Sequence, residues 1–145
     1  MSVRTVLELH HVGIIVEDLD TAVASYQALG FSEPERFRIE EQEVEVATFS
    51  AGHGYVELVS PIVEDGGLVR YLASRGESVH HIAYRVDDIQ AELTRVKAAG
   101  FELIDDTPRR GVHNWLVAFV HPKSCHGVLT EFVQIPDESG NADDS

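Results

Sequence analysis

The sequence has little positive charge. Lysine and arginine together number 11, against 25 aspartates and glutamates, so the formal net charge of the 145-residue chain is -14 at pH 7. Proteins that bind the phosphate backbone of nucleic acids or an anionic membrane surface need a basic face. The charge balance therefore predicts neither a nucleic-acid partner nor a membrane partner.

Cysteine and long apolar runs are also scarce. Cys125 is the single cysteine, so the chain has no internal disulfide and suits a reducing compartment. No run approaches the roughly 20 apolar residues that cross a bilayer, and residues 1–11 lack the apolar segment and cleavage site of a signal peptide. We expect a cytoplasmic protein with one domain over residues 1–135 and a disordered acidic tail over residues 136–145.

The chain repeats itself at an offset of 70 residues. Segments 10–31 and 80–101 read HHVGIIVEDLDTAVASYQALGF and HHIAYRVDDIQAELTRVKAAGF, and seven of these 22 positions are identical. Each copy begins with the alternating apolar pattern of a strand and continues as a helix. After each helix we predict further strands, at 37–49 and 55–59 in the first half and at 115–120 and 127–133 in the second.

The residues that begin and end the two helices are repeated as well. Asp18 and Asp88 stand where N-caps belong, and Gly30 and Gly100 stand where a left-handed residue ends a helix. A short helix near residues 67–74 joins the halves. The pattern predicts an α+β fold of two tandem βαβββ modules, at about 6–62 and 77–134.

Polar residues recur at matching places inside apolar strands. Glu57 interrupts YVELV and Glu131 interrupts LTEFV, while each module opens on a pair of histidines. Strand alternation separates His11 and His81 from the face that carries the apolar residues. His10 and His80 share that apolar face, so we assign them to packing. The remaining histidines have no matched counterparts, and we place them in loops or at a rim.

His11, His81, Glu57 and Glu131 form a mixed N2O2 set. Such a set suits a borderline divalent metal and lacks the thiolates of a closed structural zinc site. Taken singly, a strand histidine is more often a core or surface residue than a ligand, and a strand glutamate more often faces solvent. Their joint recurrence favours a metal site, because a carboxylate within an apolar strand needs a buried partner in both halves.

Longer motifs add a family resemblance. They are HHIA at 80–83, VELVSP at 56–61, VAFVHPKS at 117–124 and GVLTE at 127–131. Over nearly all of residues 7–134 the chain resembles the vicinal oxygen chelate superfamily, which includes glyoxalases, bleomycin resistance proteins and dioxygenases. Within it, the motifs are most similar to those of the methylmalonyl-CoA epimerases. The resemblance implies a glyoxalase-like pair of half-barrels around a central metal cleft.

The resemblance also implies an activity. It is that of an isomerase that interconverts (R)- and (S)-methylmalonyl-CoA by alpha-proton abstraction through a metal-stabilised enolate. The family's metal ligands fall on His11, Glu57, His81 and Glu131, the same four residues. Cobalt is the metal we expect, and manganese, nickel or zinc would also accept these ligands. We expect Glu131 to serve as ligand and base, with Glu57 as the second candidate base.

The chain departs from the family pattern after Glu41-Gln42. Family members whose third ligand is glutamine commonly carry a proton-shuttling glutamate a few residues after a Glu-Gln pair. In this chain the pair is Glu41-Gln42, and that place holds Val46, with Glu45 beside it on the opposite strand face. The identity of the second base therefore stays open.

Coenzyme A would bring further negative charge to an acidic protein. Basic residues at the entrance of the cleft would speed the encounter, and Arg109, Arg110 and Lys123 are the candidates. A role as ordinary surface charges fits them equally well. The exposed strand edges of such modules commonly pair across a symmetric interface, so we expect a homodimer.

Three alternatives keep the fold and change the function. A glyoxalase-like lyase or isomerase acting on a glutathione or other thiol adduct would use the same ligands. A metal-free binding protein of the drug-resistance type usually lacks the full ligand set. A ring-cleaving dioxygenase uses two histidines and one carboxylate, whereas four candidates are present here.

Overall fold

The computed structural model describes residues 7–136. Those residues contain eight strands and three α-helices, which confirms the α+β class. The strands are β1 (Glu8–Ile15), β2 (Glu35–Ile39), β3 (Val44–Ala51), β4 (Gly54–Pro61), β5 (Ser78–Arg85), β6 (Arg109–Arg110), β7 (Leu116–Val120) and β8 (Thr130–Gln134). The helices are α1 (Leu19–Leu29), α2 (Gly67–Arg75) and α3 (Ile89–Ala98). Residues 137–145 of the predicted acidic tail lie outside the described residues.

The chain divides into two compact units. The N-terminal unit holds residues 10–82, and the C-terminal unit holds residues 83–136 together with residues 7–9. Strand β5 therefore begins in the first unit and ends in the second. Within residues 7–136, no helix is both long enough and apolar enough to cross a membrane.

The N-terminal unit is a mixed sheet in the order β2-β3-β4-β1-β5. Strand β1 runs parallel to β4 with Gly13 beside Glu57, and β3 runs antiparallel to β4 with Thr48 on the other side of Glu57. Because residues side by side on neighbouring strands project to the same face, these three share one face. The opposite face packs against α1. The core there consists of Val16, Leu19, Val23, Ala47, Phe49 and Leu58.

The C-terminal unit places the end of β5 next to β8, followed by β7 and β6. Strands β7 and β8 are antiparallel, and Phe119 lies beside Glu131. Helix α3 packs on the face opposite to these two residues, because its apolar positions join Ala118 and Phe132 in one cluster. The buried members of that cluster are Val86, Ile89, Leu93, Val96, Ala118, Val120 and Phe132.

The predicted ends of the two long helices are confirmed. A side-chain oxygen of Asp18 accepts a hydrogen bond of 3.1 Å from the Asp20 amide, and Asp88 accepts one of 3.1 Å from the Ala91 amide. Gly30 has a φ of 124° and Gly100 has a φ of 98°, backbone angles that residues with a Cβ atom rarely adopt. The short helix predicted near residues 67–74 is α2.

Two predicted strand stretches differ from the structure. The stretch 37–49 is broken by a 3-10 turn at Glu40–Gln42, after which Glu43 has φ of 60° and its amide donates to the Glu40 carbonyl. The stretch 127–133 becomes a strand only at Thr130. Before it, Gly127 has φ of 96° and its amide turns back to the carbonyl of Pro122. In both places a local hydrogen bond to the preceding turn replaces the sheet ladder.

Candidate metal centre

The N-terminal unit brings two imidazoles and one carboxylate together. Nε2 of His11 lies 3.0 Å from Nε2 of His81. Oε1 of Glu57 lies 3.6 Å from the first of these nitrogens and 3.9 Å from the second. The three residues are buried, with exposed fractions of 3%, 5% and 8% for His11, His81 and Glu57. Three of the four predicted ligands therefore converge within one unit.

Strand alternation brings these side chains to one face. His11 is two residues before Gly13 on β1, and Gly13 lies beside Glu57 of β4, so the imidazole and the carboxylate face the same way. That face is the one opposite to α1. The structure thus agrees with the prediction that His11 faces away from the apolar packing of its strand.

Gly13 makes room for the imidazole of His81. A Cβ atom built on Gly13 would collide with the ring of His81, whose Cε1, Nδ1 and Nε2 are its nearest neighbours. A glycine inside a strand often marks a close approach by another group. Here it allows the ring from β5 to lie against the backbone of β1.

The cluster fits a divalent metal. Ligand atoms about 2.0–2.2 Å from one ion lie about 3–3.5 Å from each other in tetrahedral or octahedral geometry. The distances of 3.0, 3.6 and 3.9 Å between the donor atoms are close to that range. Two imidazole nitrogens and a carboxylate oxygen are donors that borderline divalent metals accept. The space left by Gly13 supports this metal-binding arrangement, since it accommodates the ring of His81.

Glu131 lies in the C-terminal unit. It is 5% exposed, on β8, beside Phe119 and on the face opposite to α3. A carboxylate buried to this degree in an apolar strand needs a polar or charged partner. Its assignment as the fourth ligand stays a prediction.

His10 and His80 do more than the sequence indicated. Nδ1 of His10 lies 2.8 Å from Nδ1 of His11, and Nδ1 of His80 lies 2.9 Å from Nδ1 of His81. The strand period alone assigns His10 and His80 to packing. The signal that would have identified these contacts is the doubled histidine at the start of both modules.

Strand β3 has no carboxylate on the sheet face of Glu57, in agreement with Val46 standing where many family members have a glutamate. Val46 is buried, two residues from Thr48 and on the same strand face. Glu45 projects to the other face and forms an ion pair of 3.4 Å with Arg38. The Thr48 hydroxyl is buried and has no hydrogen-bond partner among residues 7–136, so it is available to a bound ligand. Strand β3 thus supplies a hydroxyl to this face and no carboxylate.

The three basic residues predicted at the entrance lie in the C-terminal unit, and all are exposed. Arg109 is 3.3 Å from Asp105 and lies over the ring of Phe119, 5.8 Å from its centroid. Arg110 donates to the Asn114 carbonyl at 3.0 Å. Lys123 forms no ion pair within the described part of the chain.

Comparison with known proteins identifies the family. The model of the Glyoxalase/Bleomycin resistance protein/Dioxygenase superfamily matches residues 10–119. The mitochondrial methylmalonyl-CoA epimerase of Homo sapiens is 33% identical over 135 residues, which cover 92% of this chain and 77% of that protein. An ethylmalonyl-CoA/methylmalonyl-CoA epimerase of Cereibacter sphaeroides is 33% identical over 130 residues, covering 88% of this chain and 97% of that protein.

A solved structure agrees with these relatives. A variant of the Streptomyces coelicolor methylmalonyl-CoA epimerase, in complex with 2-nitronate-propionyl-CoA, has a TM-score of 0.82 and 38% identity over 89% of this chain and 94% of that chain. The chain therefore belongs to the glyoxalase/bleomycin resistance protein/dioxygenase superfamily and, within it, to the family of the methylmalonyl-CoA epimerases. The prediction of an isomerase is confirmed.

Replacing Gly13 by alanine tests the close approach of the His81 ring to β1. The new methyl group would overlap the buried ring of His81, so we expect Gly13→Ala to lower the free energy of unfolding by about 1–3 kcal/mol. Urea denaturation measures this loss. Gly67→Ala is the matched control, because a Cβ built there has no atom within 4 Å. Equal stability of the two variants would contradict the close approach of His81 to β1.

Proposed function

We propose that the chain is a metal-dependent epimerase that interconverts (R)- and (S)-methylmalonyl-CoA. The buried cluster of His11, Glu57 and His81 carries the proposal, because its donor atoms suit one divalent metal ion in a chain of this family. Cobalt is the metal we propose, with manganese, nickel and zinc as substitutes that the same ligands accept.

Glu131 is the fourth ligand in this proposal. It stands 74 residues after Glu57 and interrupts an apolar strand as Glu57 does. Both carboxylates are buried, and both project from the sheet face opposite to a helix. In the proposed arrangement the two units form one domain, as tandem βαβββ modules whose half-barrels enclose a central metal cleft.

The reaction needs a base next to a weakly acidic carbon. A bound divalent metal supplies Lewis-acid stabilisation of the negative charge that develops on the thioester oxygen. Glu131 accepts the alpha proton from one face of the substrate, and Glu57 is the candidate that returns a proton from the other face. Proton return to the opposite face inverts the configuration of the carbon. Val46 cannot take part, since it carries no titratable group.

The relatives support the proposed substrate class. Two are named for their action on methylmalonyl-CoA, and the Streptomyces coelicolor enzyme binds 2-nitronate-propionyl-CoA. An acyl-CoA carries phosphate charges that a chain of net charge -14 repels at long range. Arg109, Arg110 and Lys123 reduce that repulsion near the coenzyme.

The proposed setting is a homodimer in the cytoplasm. The sheet order leaves β2 at the edge of the N-terminal unit and β6 at the edge of the C-terminal unit, and such edges favour pairing between copies. A single cysteine, Cys125, suits the reducing conditions of that compartment.

Proton NMR in heavy water tests the activity directly. The protein is stripped of metal, reloaded with cobalt and mixed with methylmalonyl-CoA. We expect the alpha-proton signal of both epimers to disappear with the reloaded protein and to persist with the stripped one, because enolate formation needs the ion. If the protein binds one equivalent of cobalt but the alpha proton does not exchange, the substrate is instead another thioester or a thiol adduct.

Replacing each carboxylate by its amide tests the two bases. Glutamine keeps an oxygen that can bind metal but cannot accept the proton, so with pure epimers Glu131→Gln should slow exchange of one epimer at least about 100-fold. Glu57→Gln should slow exchange of the other. Metal content is measured in parallel. If Glu131→Gln retains its metal and still exchanges the alpha proton of both epimers at the wild-type rate, Glu131 is not a base.

Replacing Lys123 by alanine tests the electrostatic approach of coenzyme A. We expect about a threefold rise in KM at low ionic strength and an unchanged kcat, because an exposed charge acts on encounter rather than on chemistry. The rise should shrink at high salt. Lys97→Ala is the control, since its ammonium already pairs with Asp106 at 3.4 Å. The same KM for both variants at every salt concentration would leave Lys123 as an ordinary surface charge.

A further inference from the structure

Four histidine rings form a continuous chain through their nitrogen atoms. The Nδ1 atoms of His10 and His11 lie 2.8 Å apart, the Nε2 atoms of His11 and His81 lie 3.0 Å apart, and the Nδ1 atoms of His81 and His80 lie 2.9 Å apart. All four belong to the N-terminal unit. We call His11 and His81 the inner pair, and His10 and His80 the outer pair.

Each outer ring is held by a tyrosine. The ring of His10 lies 5.3 Å from that of Tyr55, and the ring of His80 lies 5.0 Å from that of Tyr71 in an edge-to-face contact. Arg75 in turn stacks on Tyr71, 5.4 Å from the ring centroid. Aromatic contacts of this kind restrict the orientation of a ring. A tyrosine therefore restricts the orientation of each outer ring.

The hydrogen bonds between the four histidine rings depend on the tautomer of each ring. A neutral imidazole carries one N–H, and each N···N contact of this length needs one proton. If an inner ring binds metal through Nε2, its proton must be on Nδ1, which then donates to Nδ1 of the outer ring. The outer ring must in turn carry its own proton on Nε2.

We propose that His10 and His80 are positioning residues that hold His11 and His81 in the Nδ1–H tautomer, so that both inner Nε2 lone pairs are directed to one metal ion. The inference rests on the proposed metal site and goes beyond its ligands. Without metal, the 3.0 Å contact of the inner pair needs Nε2–H on one inner ring, whose Nδ1 then accepts from Nδ1–H of its outer neighbour. That inner ring and its outer neighbour therefore change tautomer together when the ion binds.

Nitrogen NMR of the full chain tests the tautomers without any substitution. Long-range proton–nitrogen correlations show which nitrogen of each ring is protonated, and zinc serves as a diamagnetic probe. We expect the zinc-loaded protein to show Nδ1–H on both inner rings and Nε2–H on both outer rings. The metal-free protein should show Nε2–H on one inner ring. Nδ1–H on either outer ring in the zinc-loaded protein would overturn the proposal.

Two substitutions of His80 separate positioning from packing. His80→Phe keeps a ring against Tyr71 and removes the acceptor, whereas His80→Asn replaces the acceptor by an amide oxygen. We expect His80→Phe to weaken zinc binding about 10- to 100-fold in competition with a chelator, and His80→Asn to restore most of the affinity. His53→Phe, at an exposed turn, is the control for loss of an imidazole and should bind zinc as the wild type does.

The outcomes also distinguish the two proposals. Wild-type affinity in a folded His80→Phe variant, together with normal alpha-proton exchange by the wild type, would overturn the positioning role and leave the epimerase proposal intact. Zinc binding with the expected tautomers but no exchange would overturn the epimerase activity and support the positioning role. A wild-type protein that binds no zinc would overturn both.

Discussion

The contact of Glu57 with the imidazoles of His11 and His81 is the constraint on which the N-terminal unit depends. A carboxylate that is 8% exposed in an apolar strand loses most of its hydration, at a cost of several kcal/mol if it has no partner. Two nitrogens within 4 Å of Oε1 offset that cost when a proton or a cation lies among them. β1 must then provide space for a ring from β5, and the absence of a Cβ at Gly13 provides it.

Each unit keeps its apolar core and its buried carboxylate on opposite faces of the sheet. In the N-terminal unit the core lies between the sheet and α1, while Glu57 projects from the other face. The C-terminal unit has the same arrangement with α3 and Glu131. Changes of polar side chains on one face therefore leave the packing of the other largely undisturbed.

Local sequence patterns predicted much of this architecture. Alternating apolar residues predicted β1 and β5, and Asp18 and Asp88 were recognisable as N-caps because an N-cap depends only on the next few residues. The strand face on which His11 lies followed from the two-residue period of strands. The break at residues 40–43 and the start of β8 only at Thr130 were missed, since they depend on hydrogen bonds back to a turn rather than on hydropathy.

Other features of the candidate site could not be predicted from periodicity. The period assigns His10 and His80 to a face, but it does not show that their Nδ1 atoms approach the next ring in the chain. The close approach of His81 to Gly13 joins residues 68 positions apart, and only the pairing of strands brings them together. Glu131 was recognised through the repeat, yet its partner in the folded protein is not encoded in the pattern of its own strand.

The separation of core and site has a further consequence for how the protein is maintained in a cell. Small zinc domains fold only around their ion, because the ligands replace the core they lack. Here the apolar clusters beside α1 and α3 include none of the four ligands proposed for the ion. For the proposed metal site, the folded chain would therefore form before any ion binds. The supply of metal, rather than the amount of protein, would then set the fraction of chains that carry the ion.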